Sequence, residues 1–405
     1  MNRHRYFLRA CTATCLLLAC LAALAPAFAQ DAAPASAYRI ETITVQGAQR
    51  EAAHDIVADE TRLREGETYD ETQLEQAIYR VRRLPFVLAA AYELRPGSAS
   101  GAYELVITIQ PYTALRIVAD ALGVYDGDAR GEGADRFDTF VNGAAEARAF
   151  VGERGMAFAS AQKGEGGDPV GQAGYTQYGL FGRGSSATVT AGRVFSGDEE
   201  GVESDDIFAG LAVALPMSPN NTLRLSYNWA RSDFETAAFE RRAFFYSPAA
   251  QWIYDTTDDP LFALRGIQVT GAASYQRSEE EIRDRRSDSS DSFTLSAAAV
   301  RYLPLTAKQS LGFTLARTYQ EVVEEEPEAN GATLSAGLGH FANFWDTEVS
   351  GWRGGLRLEN RLVYTREETD GTVFRSEDFL DLSSGLVFRT NWGILRTTVS
   401  YQETF

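Results

Sequence analysis

Cysteine and histidine are scarce in this sequence. It contains 3 cysteines and 3 histidines among 405 residues, and all three cysteines (Cys11, Cys15 and Cys20) precede residue 21. If that segment is removed on export, the remaining chain can form no disulfide and carry out no thiol catalysis. The two later histidines, His54 and His340, are too few for a zinc site of the Cys/His type.

Long apolar runs and an excess of positive charge are also missing. The mean hydropathy is -0.24, and no run of about 20 apolar residues follows the N-terminal segment, which excludes a bundle of transmembrane helices. The formal net charge is -18, so nucleic acid, whose phosphates need a basic face, is not an expected partner. With 44% hydrophobic and 11% aromatic residues, the chain is nevertheless too apolar for a disordered acidic tail.

Catalytic motifs are absent from the sequence. It has no G-x-S-x-G nucleophile elbow, and Gly184-Ser185-Ser186 precedes an expected strand instead of a helix. The acidic runs at residues 279–281 and 324–326 are interpreted as solvated loop faces in preference to calcium sites. We therefore expect neither an enzyme nor a bound metal or cofactor.

The N-terminus has the pattern of an export signal. Three arginines precede an apolar stretch over residues 10–24, and Ala27-Phe28-Ala29 supplies a small-x-small cleavage pattern. Residues 1–29 are therefore predicted to be a signal peptide and residues 30–37 a linker. A lipoprotein acylation site at Cys20 is the alternative, although the bulky Leu18 fits that pattern poorly.

Residues 38–111 are predicted to form a small α+β domain of order β-α-α-β-β. A β-branched segment at residues 38–45 favours a strand, and residues 51–63 carry apolar positions at helical spacing. Thr68 and Glu71 suggest a capping box for a second helix, which Pro85 ends. Two further strands, at residues 86–92 and 103–110, are separated by a Pro-Gly-Ser turn.

Several positions of this domain follow a known pattern. They are Ile40, Ile43, Val45 and Gly47 in the opening strand and turn, and then Gly66, Tyr69, Leu74, Leu84 and Phe86. In this pattern the segment resembles a POTRA domain, the periplasmic module of outer-membrane assembly and secretion barrels, although Pro85 stands where the family has a glycine. The resemblance implies an edge strand that accepts an extended polypeptide by main-chain hydrogen bonding. The candidate strand carries Phe86, Val87, Leu88 and Tyr92.

Residues 112–405 change to a period of two. Apolar and aromatic residues alternate with polar or small ones in segments about as long as the ~9–11 residues that a tilted membrane strand needs. Examples are Leu223, Leu225, Tyr227 and Trp229, and Leu356, Leu358, Leu362 and Tyr364. Arginine and glutamate on the other face would be costly in lipid, so that face is expected to line a lumen. This pattern favours an all-β transmembrane barrel over a soluble sandwich.

Loop lengths support about 12–16 antiparallel strands. Long acidic loops are expected at residues 276–292, 320–331 and 366–378, and short turns at residues 303–308 and 389–392. About fifteen segments can be distinguished, whereas a bacterial single-chain barrel is expected to have an even number. Tyr401 and Phe405 end an alternating strand, which is similar to the sorting signal of outer-membrane barrels.

The segment DTTDDPLFALRG, residues 255–266, is the most diagnostic motif. Its Asp255, Asp258, Pro260 and Gly266 resemble the turn "D-[ST]-R-D-N-P-x-x-P-x-x-G" between central barrel strands of the BamA/TamA and two-partner-secretion (TpsB) superfamily. Aspartates in such a turn can accept hydrogen bonds from nearby backbone N–H groups. The chain is therefore similar to a POTRA-plus-barrel protein.

One family feature is degenerate. Members usually carry a Val-Arg-Gly-Tyr/Phe motif on a loop folded into the barrel, whereas the nearest candidate is Arg353-Gly354, which is expected to begin a strand. The resemblance still implies a divergent or reduced outer-membrane barrel with its N-terminal domain in the periplasm, acting in polypeptide translocation or outer-membrane protein assembly. Its implied partners are outer-membrane lipid, an unfolded or extended polypeptide, and the assembly machinery for its own insertion. A passive pore or structural barrel, with the POTRA domain used for partner docking, is the alternative.

Overall fold

The computed structural model describes residues 37–48, 50–127, 136–163, 168–195, 203–235, 240–282, 288–323, 330–349, 352–370 and 375–404. The predicted signal peptide, almost all of the predicted linker, and Phe405 lie outside the described residues. Neither described helix is long and apolar enough to cross a membrane.

The first folded unit, residues 37–111, is called the module below. Its sheet has the order β2-β1-β4-β3, in which β1 and β4 are parallel and the other pairs are antiparallel. Apolar side chains of both helices and the sheet, among them Ile56, Leu74 and Ile107, form its buried core. Its elements are β1 (Ala37–Gln46), α1 (Glu51–Glu60), β2 (Thr68–Asp70), α2 (Glu71–Arg82), β3 (Val87–Pro96) and β4 (Ala102–Pro111).

The order β-α-α-β-β is confirmed, with the short strand β2 as an addition. The predicted capping box at Thr68 and Glu71 is wrong, because Thr68 pairs with Arg39 in the sheet. Asp70 caps α2 instead: its carboxylate accepts from the Gln73 N–H at 2.8 Å, and the Gln73 side chain accepts from the Asp70 N–H at 2.9 Å. The capping box is therefore an Asp-x-x-Gln pair that begins two residues later than predicted and satisfies the N–H groups of Asp70 and Gln73.

The second unit is a closed barrel of fifteen strands. Neighbouring strands pair in an antiparallel fashion in chain order, and the last strand then pairs with the first. The strands are β5 (Leu115–Gly127), β6 (Arg136–Val151), β7 (Gly155–Lys163), β8 (Val170–Tyr178), β9 (Ser186–Phe195), β10 (Glu203–Ser218), β11 (Asn221–Glu235), β12 (Glu240–Asp255), β13 (Gly266–Ile282), β14 (Asp288–Thr306), β15 (Gln309–Val323), β16 (Asn330–Val349), β17 (Trp352–Asp370), β18 (Arg375–Thr390) and β19 (Gly393–Thr404).

The expectation of an even strand number is wrong, whereas the estimate of about fifteen segments agrees with the structure. In a meander with an odd number of strands, the first and last strands run in the same direction. They can therefore close the barrel only by parallel pairing. This pairing is continuous from Gly393 opposite Ile117 to Glu403 opposite Gly127.

The predicted alternation of faces is confirmed. Leu225, Tyr227 and Leu362 lie on the outer surface and are 44%, 47% and 42% exposed. Arg357 and Glu359 point to the inside, where the Arg357 guanidinium lies 4.2 Å from the centre of the Phe341 ring. Apolar side chains thus cover the outside of the barrel, and charged side chains line its lumen.

The three predicted long loops are shorter than expected because strands extend into them. Within residues 276–292, β13 and β14 stay paired as far as Glu280 opposite Asp288. A hydrogen bond between the Ser278 and Ser290 hydroxyls at 2.7 Å supports this extension. The short connections are confirmed, since residues 307–308 and 391–392 each form a two-residue turn.

The parallel seam between β19 and β5 generates a test. Cysteines replacing Ala119 and Leu395, which are paired positions on the two strands, are expected to crosslink efficiently under mild oxidation or with a short bifunctional reagent. The pair Ala119 and Val399 is the control, because its members are offset by four residues, about 13 Å along a strand. Crosslinking of the control pair in preference to the first pair would contradict the parallel register.

Candidate functional site where the module meets the barrel mouth

The connection between β12 and β13, residues 256–265, is the centre of the candidate site and is called the inward turn below. Its backbone is held by its own aspartates. The Asp259 carboxylate accepts from the N–H groups of Leu261 at 2.8 Å and Phe262 at 2.7 Å. The Asp258 carboxylate accepts from the Leu264 N–H at 2.9 Å. The predicted capping role of aspartates in this motif is confirmed.

Gly266 ends the inward turn in a conformation that other residues rarely adopt. Its φ is +105°, and a Cβ atom at this position would lie 2.5 Å from the carbonyl oxygen of Thr256. Glycine is therefore required both for the backbone angle and for the close approach. At the other end, Asp255 accepts from the Thr257 N–H at 2.9 Å.

A buried ion pair joins the inward turn to the lumen wall. The Arg389 guanidinium, on β18, contacts the Asp259 carboxylate at 2.9 Å, and both side chains are largely buried. The same guanidinium lies 4.4 Å from the centre of the Phe262 ring. Because β18 is five strands further round the wall than β13, the inward turn reaches across the lumen instead of lying along the rim.

Electrostatics favour the ionised pair. Burial alone would raise the pKa of Asp259, but Arg389 and the N–H groups of Phe262 and Leu261 together hold that pKa below its ordinary value. The neighbouring Asp258 lies 3.8 Å from the more exposed Arg265 and accepts from the Leu264 N–H, but burial outweighs these contacts and raises its pKa. Asp259 is thus the aspartate of this turn whose charge is stabilised by the lumen.

Two more lumen side chains hold the inward turn by its main chain. Arg357, the largest fully buried side chain among the described residues, donates from Nη1 to the Leu261 carbonyl at 3.1 Å. The hydroxyl of the fully buried Ser310 on β15 donates to the Ala263 carbonyl at 3.5 Å. Three different strands, β15, β17 and β18, therefore contact the tip of the turn.

The module holds the other side of the inward turn through the end of α2. Arg83 forms an ion pair with Asp255 at 2.7 Å and also donates to the Thr257 carbonyl at 2.8 Å. Arg82 donates to the Asp258 carbonyl at 2.9 Å. The inward turn is thus bonded to the module on one side and to the lumen wall on the other.

The inward turn also supplies an arginine to its contact with α2. Arg265 donates to the Tyr79 hydroxyl at 2.8 Å and lies 3.4 Å from the Glu75 carboxylate. Both partners are on α2. Arginines at the end of the helix therefore contact the turn, and an arginine of the turn contacts the helix.

Three further barrel turns at the same end contact the module. Asp59 pairs with Arg154 of the β6–β7 turn at 2.6 Å. Arg183 of the β8–β9 turn donates to the Leu63 carbonyl at 2.6 Å. For the β10–β11 turn, Arg80 donates to the Pro219 carbonyl at 3.1 Å.

Apolar contacts complete this interface. Met156, Phe150 and Tyr178 of the barrel pack against the core of the module. The rings of Phe86 and Phe150 meet edge to face with their centres 5.0 Å apart. The module therefore sits firmly over one half of the barrel mouth.

The carboxylate of Glu60 is enclosed at this interface. It lies 3.6 Å from Arg62, with the cations of Arg80 and Arg83 and the charge of Asp59 also close enough to act on it. Burial raises its pKa to about 7, and the three arginines offset only part of that effect.

The other edge of the module sheet is open at β3. The Gly97 N–H donates to the Ala102 carbonyl at 2.8 Å, which fixes the hydrogen-bond alternation between β3 and β4. By that alternation the main-chain groups of Ala90, Tyr92 and Leu94 point away from β4, to the open edge. Pro96 is also outward, where its missing N–H costs no ladder bond.

The predicted edge position of β3 is confirmed, but the residues named for it shift. Phe86 precedes the strand, and the side chains of Phe86, Val87 and Leu88 are buried, with a ladder irregularity beside them. Tyr92 is on the open part of the edge. The available segment is therefore the C-terminal half of β3, and binding of a client there stays a prediction.

The remaining predicted residues lie away from the inward turn. Arg353 and Gly354 are in β17, paired with Glu348 and Thr347, so this segment forms a strand as expected and no inward loop. Tyr401 lies on β19, which runs away from the module, so this residue is near the opposite rim. Its role in sorting stays a prediction.

Sequence analysis missed the arginines that organise the site. Arg82 and Arg83 end α2, and Arg357 and Arg389 are lumen positions of β17 and β18. The sequence did contain one signal for them. Three arginines, Arg80, Arg82 and Arg83, lie within four residues just before Pro85, and capping a helix end does not require so many cations.

Comparison with known proteins finds no family model and no curated protein that matches. Solved structures that are similar include BamA from Haemophilus ducreyi lacking POTRA domains 1-3, at 10% identity, 91% coverage of this chain, 85% of that chain and a TM-score of 0.40. CdiB from Escherichia coli is 13% identical, with 87% and 70% coverage and a TM-score of 0.48. CdiB from Acinetobacter baumannii is 11% identical, with 87% and 68% coverage and a TM-score of 0.43.

The buried ion pair predicts that Arg389→Ala releases the inward turn. The change leaves the Asp259 carboxylate buried without its cation, and losing one partner of such a pair costs about 3–5 kcal/mol. A cysteine at Ala263, which is 4% exposed, is then expected to react with a water-soluble maleimide at least tenfold faster.

Two variants control this measurement. Arg361→Ala removes a half-exposed lumen arginine whose carboxylate partner is Glu359, and is expected to leave the rate unchanged. The double variant Asp259→Asn/Arg389→Ala removes both charges but keeps a side-chain oxygen for the Leu261 and Phe262 N–H groups, and is expected to react more slowly than Arg389→Ala alone. Equal rates in the single variant and the unaltered protein would contradict the role of the pair.

The raised pKa of Glu60 predicts a pH-dependent interface. The pKa of Glu60 in the folded protein is above its ordinary value of 4.5. The stability that protonated Glu60 contributes is therefore fully present below about pH 4.5 and is lost as the pH rises through about 7. Glu60→Gln is therefore expected to be more stable than the unaltered protein at pH 8, by on the order of 3 kcal/mol at most, and nearly equal at pH 4.5.

Thermal resistance of the module to proteolysis, measured on the full chain in detergent micelles, checks this expectation. Glu93→Gln, an exposed change on β3, is the control and is expected to leave the thermal resistance unchanged at both pH values. A Glu60→Gln variant that is less stable than the unaltered protein at pH 8 would show that the charged form is the favoured one.

Proposed function

We propose that this chain is an outer-membrane barrel of the POTRA-plus-barrel superfamily that acts in polypeptide translocation or outer-membrane protein assembly. In this proposal the module is a POTRA-like domain in the periplasm, and the open edge of β3 binds an extended segment of an unfolded polypeptide. The barrel then moves that segment across or into the membrane. No catalytic step is part of the proposal.

One observation carries this function: the inward turn is bonded at the same time to the module and to the lumen wall. Arg83 holds it from α2, and Arg389 holds it from β18. A passive pore would need no such bridge between the module and a buried side chain on the lumen wall. The bridge favours a barrel whose mouth responds to the module.

The outer surface supports a membrane location. Large exposed apolar side chains form two belts, one near the module and one near the other rim. The first includes Trp252, Phe344 and Trp392, and the second includes Tyr275, Tyr364 and Tyr401. Aromatic girdles at both ends of an apolar band are typical of transmembrane barrels. Lipid is therefore one proposed partner, and the machinery that inserts such barrels is another.

The edge of β3 supports the choice of client. Strand addition uses main-chain groups, and Ala90, Tyr92 and Leu94 present theirs in a row at an edge that no other described strand covers. The opposite edge strand, β2, is only three residues long, and β1 behind it pairs with β2 and donates from the Ile40 N–H to the Glu67 carbonyl. β3 is thus the edge at which an extended polypeptide can add.

Crosslinking to a defined client tests this function. The full chain is inserted in liposomes with a benzophenone on a cysteine replacing Ala91, an exposed position of β3, and is mixed with a urea-unfolded eight-stranded outer-membrane barrel. We expect a crosslink to the unfolded chain and none to the same barrel after folding. Leu94→Pro removes one outward N–H without touching the β4 ladder and is expected to weaken the crosslink severalfold.

Conductance in planar bilayers separates the alternative. The proposal predicts a small or flickering conductance that changes when the unfolded barrel is added. A large steady conductance, together with equal crosslinking to folded and unfolded clients, would instead support a passive pore. In the crosslinking experiment, a benzophenone on a cysteine replacing Glu71, which is exposed on α2, is the positional control.

A further inference from the structure

We propose that Arg82 couples occupancy of the β3 edge to the seating of the inward turn, an inference that rests on the proposed function and deepens it. An extended polypeptide that adds to β3 would displace Arg82 from the strand and so withdraw one of the module's bonds to the turn. Arg82 acts in this scheme as a positioning residue.

A single guanidinium makes both contacts. Arg82 Nε donates to the Ala90 carbonyl at 3.0 Å, and Arg82 Nη1 donates to the Asp258 carbonyl at 2.9 Å. The Ala90 carbonyl is one of the outward groups of β3, at the end of the open edge that is nearest to the barrel. Arg82 therefore occupies the place where the added strand would begin.

The Arg82 guanidinium and an added strand cannot both lie beside the Ala90 carbonyl. A strand added to β3 would run about 4.8 Å from it, with its own N–H groups directed at the outward carbonyls. The Arg82 guanidinium already lies 3.0 Å from one of those carbonyls, within the path of the added backbone. Strand addition at Ala90 requires Arg82 to move.

The bonds of Arg82 are of a kind that an added strand can replace. Within the described residues it has no carboxylate partner; its bonds go to two main-chain carbonyls, and its guanidinium lies 5.6 Å from the centre of the Tyr79 ring. Arg265 of the inward turn contacts the same ring at 6.0 Å and the Tyr79 hydroxyl at 2.8 Å. Movement of Arg82 thus reaches the turn through its carbonyl and through this shared ring.

Arg83 provides a matched control because it contacts the same turn but not β3. Its partners are the carboxylate of Asp255 and the carbonyl and hydroxyl of Thr257. Loss of Arg83 is expected to loosen the turn while Arg82 can still bond to the Ala90 carbonyl, so that the edge is freed only in part. Loss of Arg82 is expected to loosen the turn and to free the edge fully.

The test measures two quantities on the full chain in liposomes. The first is the affinity for the urea-unfolded eight-stranded barrel, read by crosslinking from the cysteine at Ala91. The second, in a separate variant, is the maleimide reaction rate of a cysteine at Ala263, which reports the seating of the inward turn. In the otherwise unaltered protein, saturating client is expected to raise this rate at least fivefold.

The arginine variants give distinct expected results. Arg82→Gln is expected to bind the client at least threefold more tightly, and its Ala263 cysteine is expected to react fast with or without client. Arg83→Gln is expected to show fast reaction and a rise in client affinity smaller than that of Arg82→Gln, because it loosens the turn without removing Arg82 from the edge. Arg82→Lys keeps the charge but cannot reach both carbonyls with one planar fork, so it is expected to behave like Arg82→Gln.

Reciprocity gives a second measurement of the same coupling. Cysteines at Ala263 and Ser310, whose side chains lie on the inward turn and the lumen wall, are expected to form a bond that holds the turn in place. Since coupling is mutual, the oxidised protein must bind the client more weakly than the reduced protein, by the factor by which client loosens the turn.

The outcomes distinguish this inference from the proposed function. Client binding that is equal in Arg82→Gln and the unaltered protein, or client that leaves the Ala263 cysteine protected, would overturn the coupling while the proposed function stands. Failure of every variant to bind the unfolded barrel would overturn both.

Discussion

Closure of the barrel is the constraint on which the rest of the structure depends. In a lipid environment, main-chain groups that lack a partner cost several kcal/mol each, so a spanning sheet must have no free edge. This chain satisfies that constraint with an odd number of strands, and the price is one parallel pair, β19 with β5. The edge strands that remain among the described strands, β2 and β3, both lie in the module outside the proposed membrane, and β3 is the longer of the two.

A closed wall with an apolar outside leaves its charges to the lumen, and those charges organise the mouth. Arg389 and Arg357 are buried on lumen positions and need partners that the neighbouring strands supply only in part. The inward turn brings them the Asp259 carboxylate and the Leu261 carbonyl. The same turn offers its other side to the arginines at the end of α2. One ten-residue connection therefore joins the two units inside the mouth, in addition to their contacts along the rim.

The sequence could predict those features that depend on local period and local chemistry. Two-residue alternation identified the barrel faces, and the aspartates of residues 255–266 predicted a self-capped turn, because both signals repeat over a few neighbouring residues. It could not predict where that turn would go, since Asp259 and Arg389 are 130 residues apart and meet only after the wall has closed. The loops at residues 276–292 were overestimated for a related reason: Ser278 and Ser290 look like loop residues until each is seen to be the other's partner across the hairpin.

Hydrogen exchange of the full chain in nanodiscs tests the central claim most directly, namely that the inward turn is a built part of the barrel mouth. The N–H groups of Leu261 and Phe262 are bonded to a buried carboxylate that is itself paired with Arg389. We expect the peptide containing them to exchange as slowly as peptides from β12 and β13. Exchange as fast as that of an unbonded surface loop would contradict the claim, because the turn would then belong to the rim and could not join the module to the lumen.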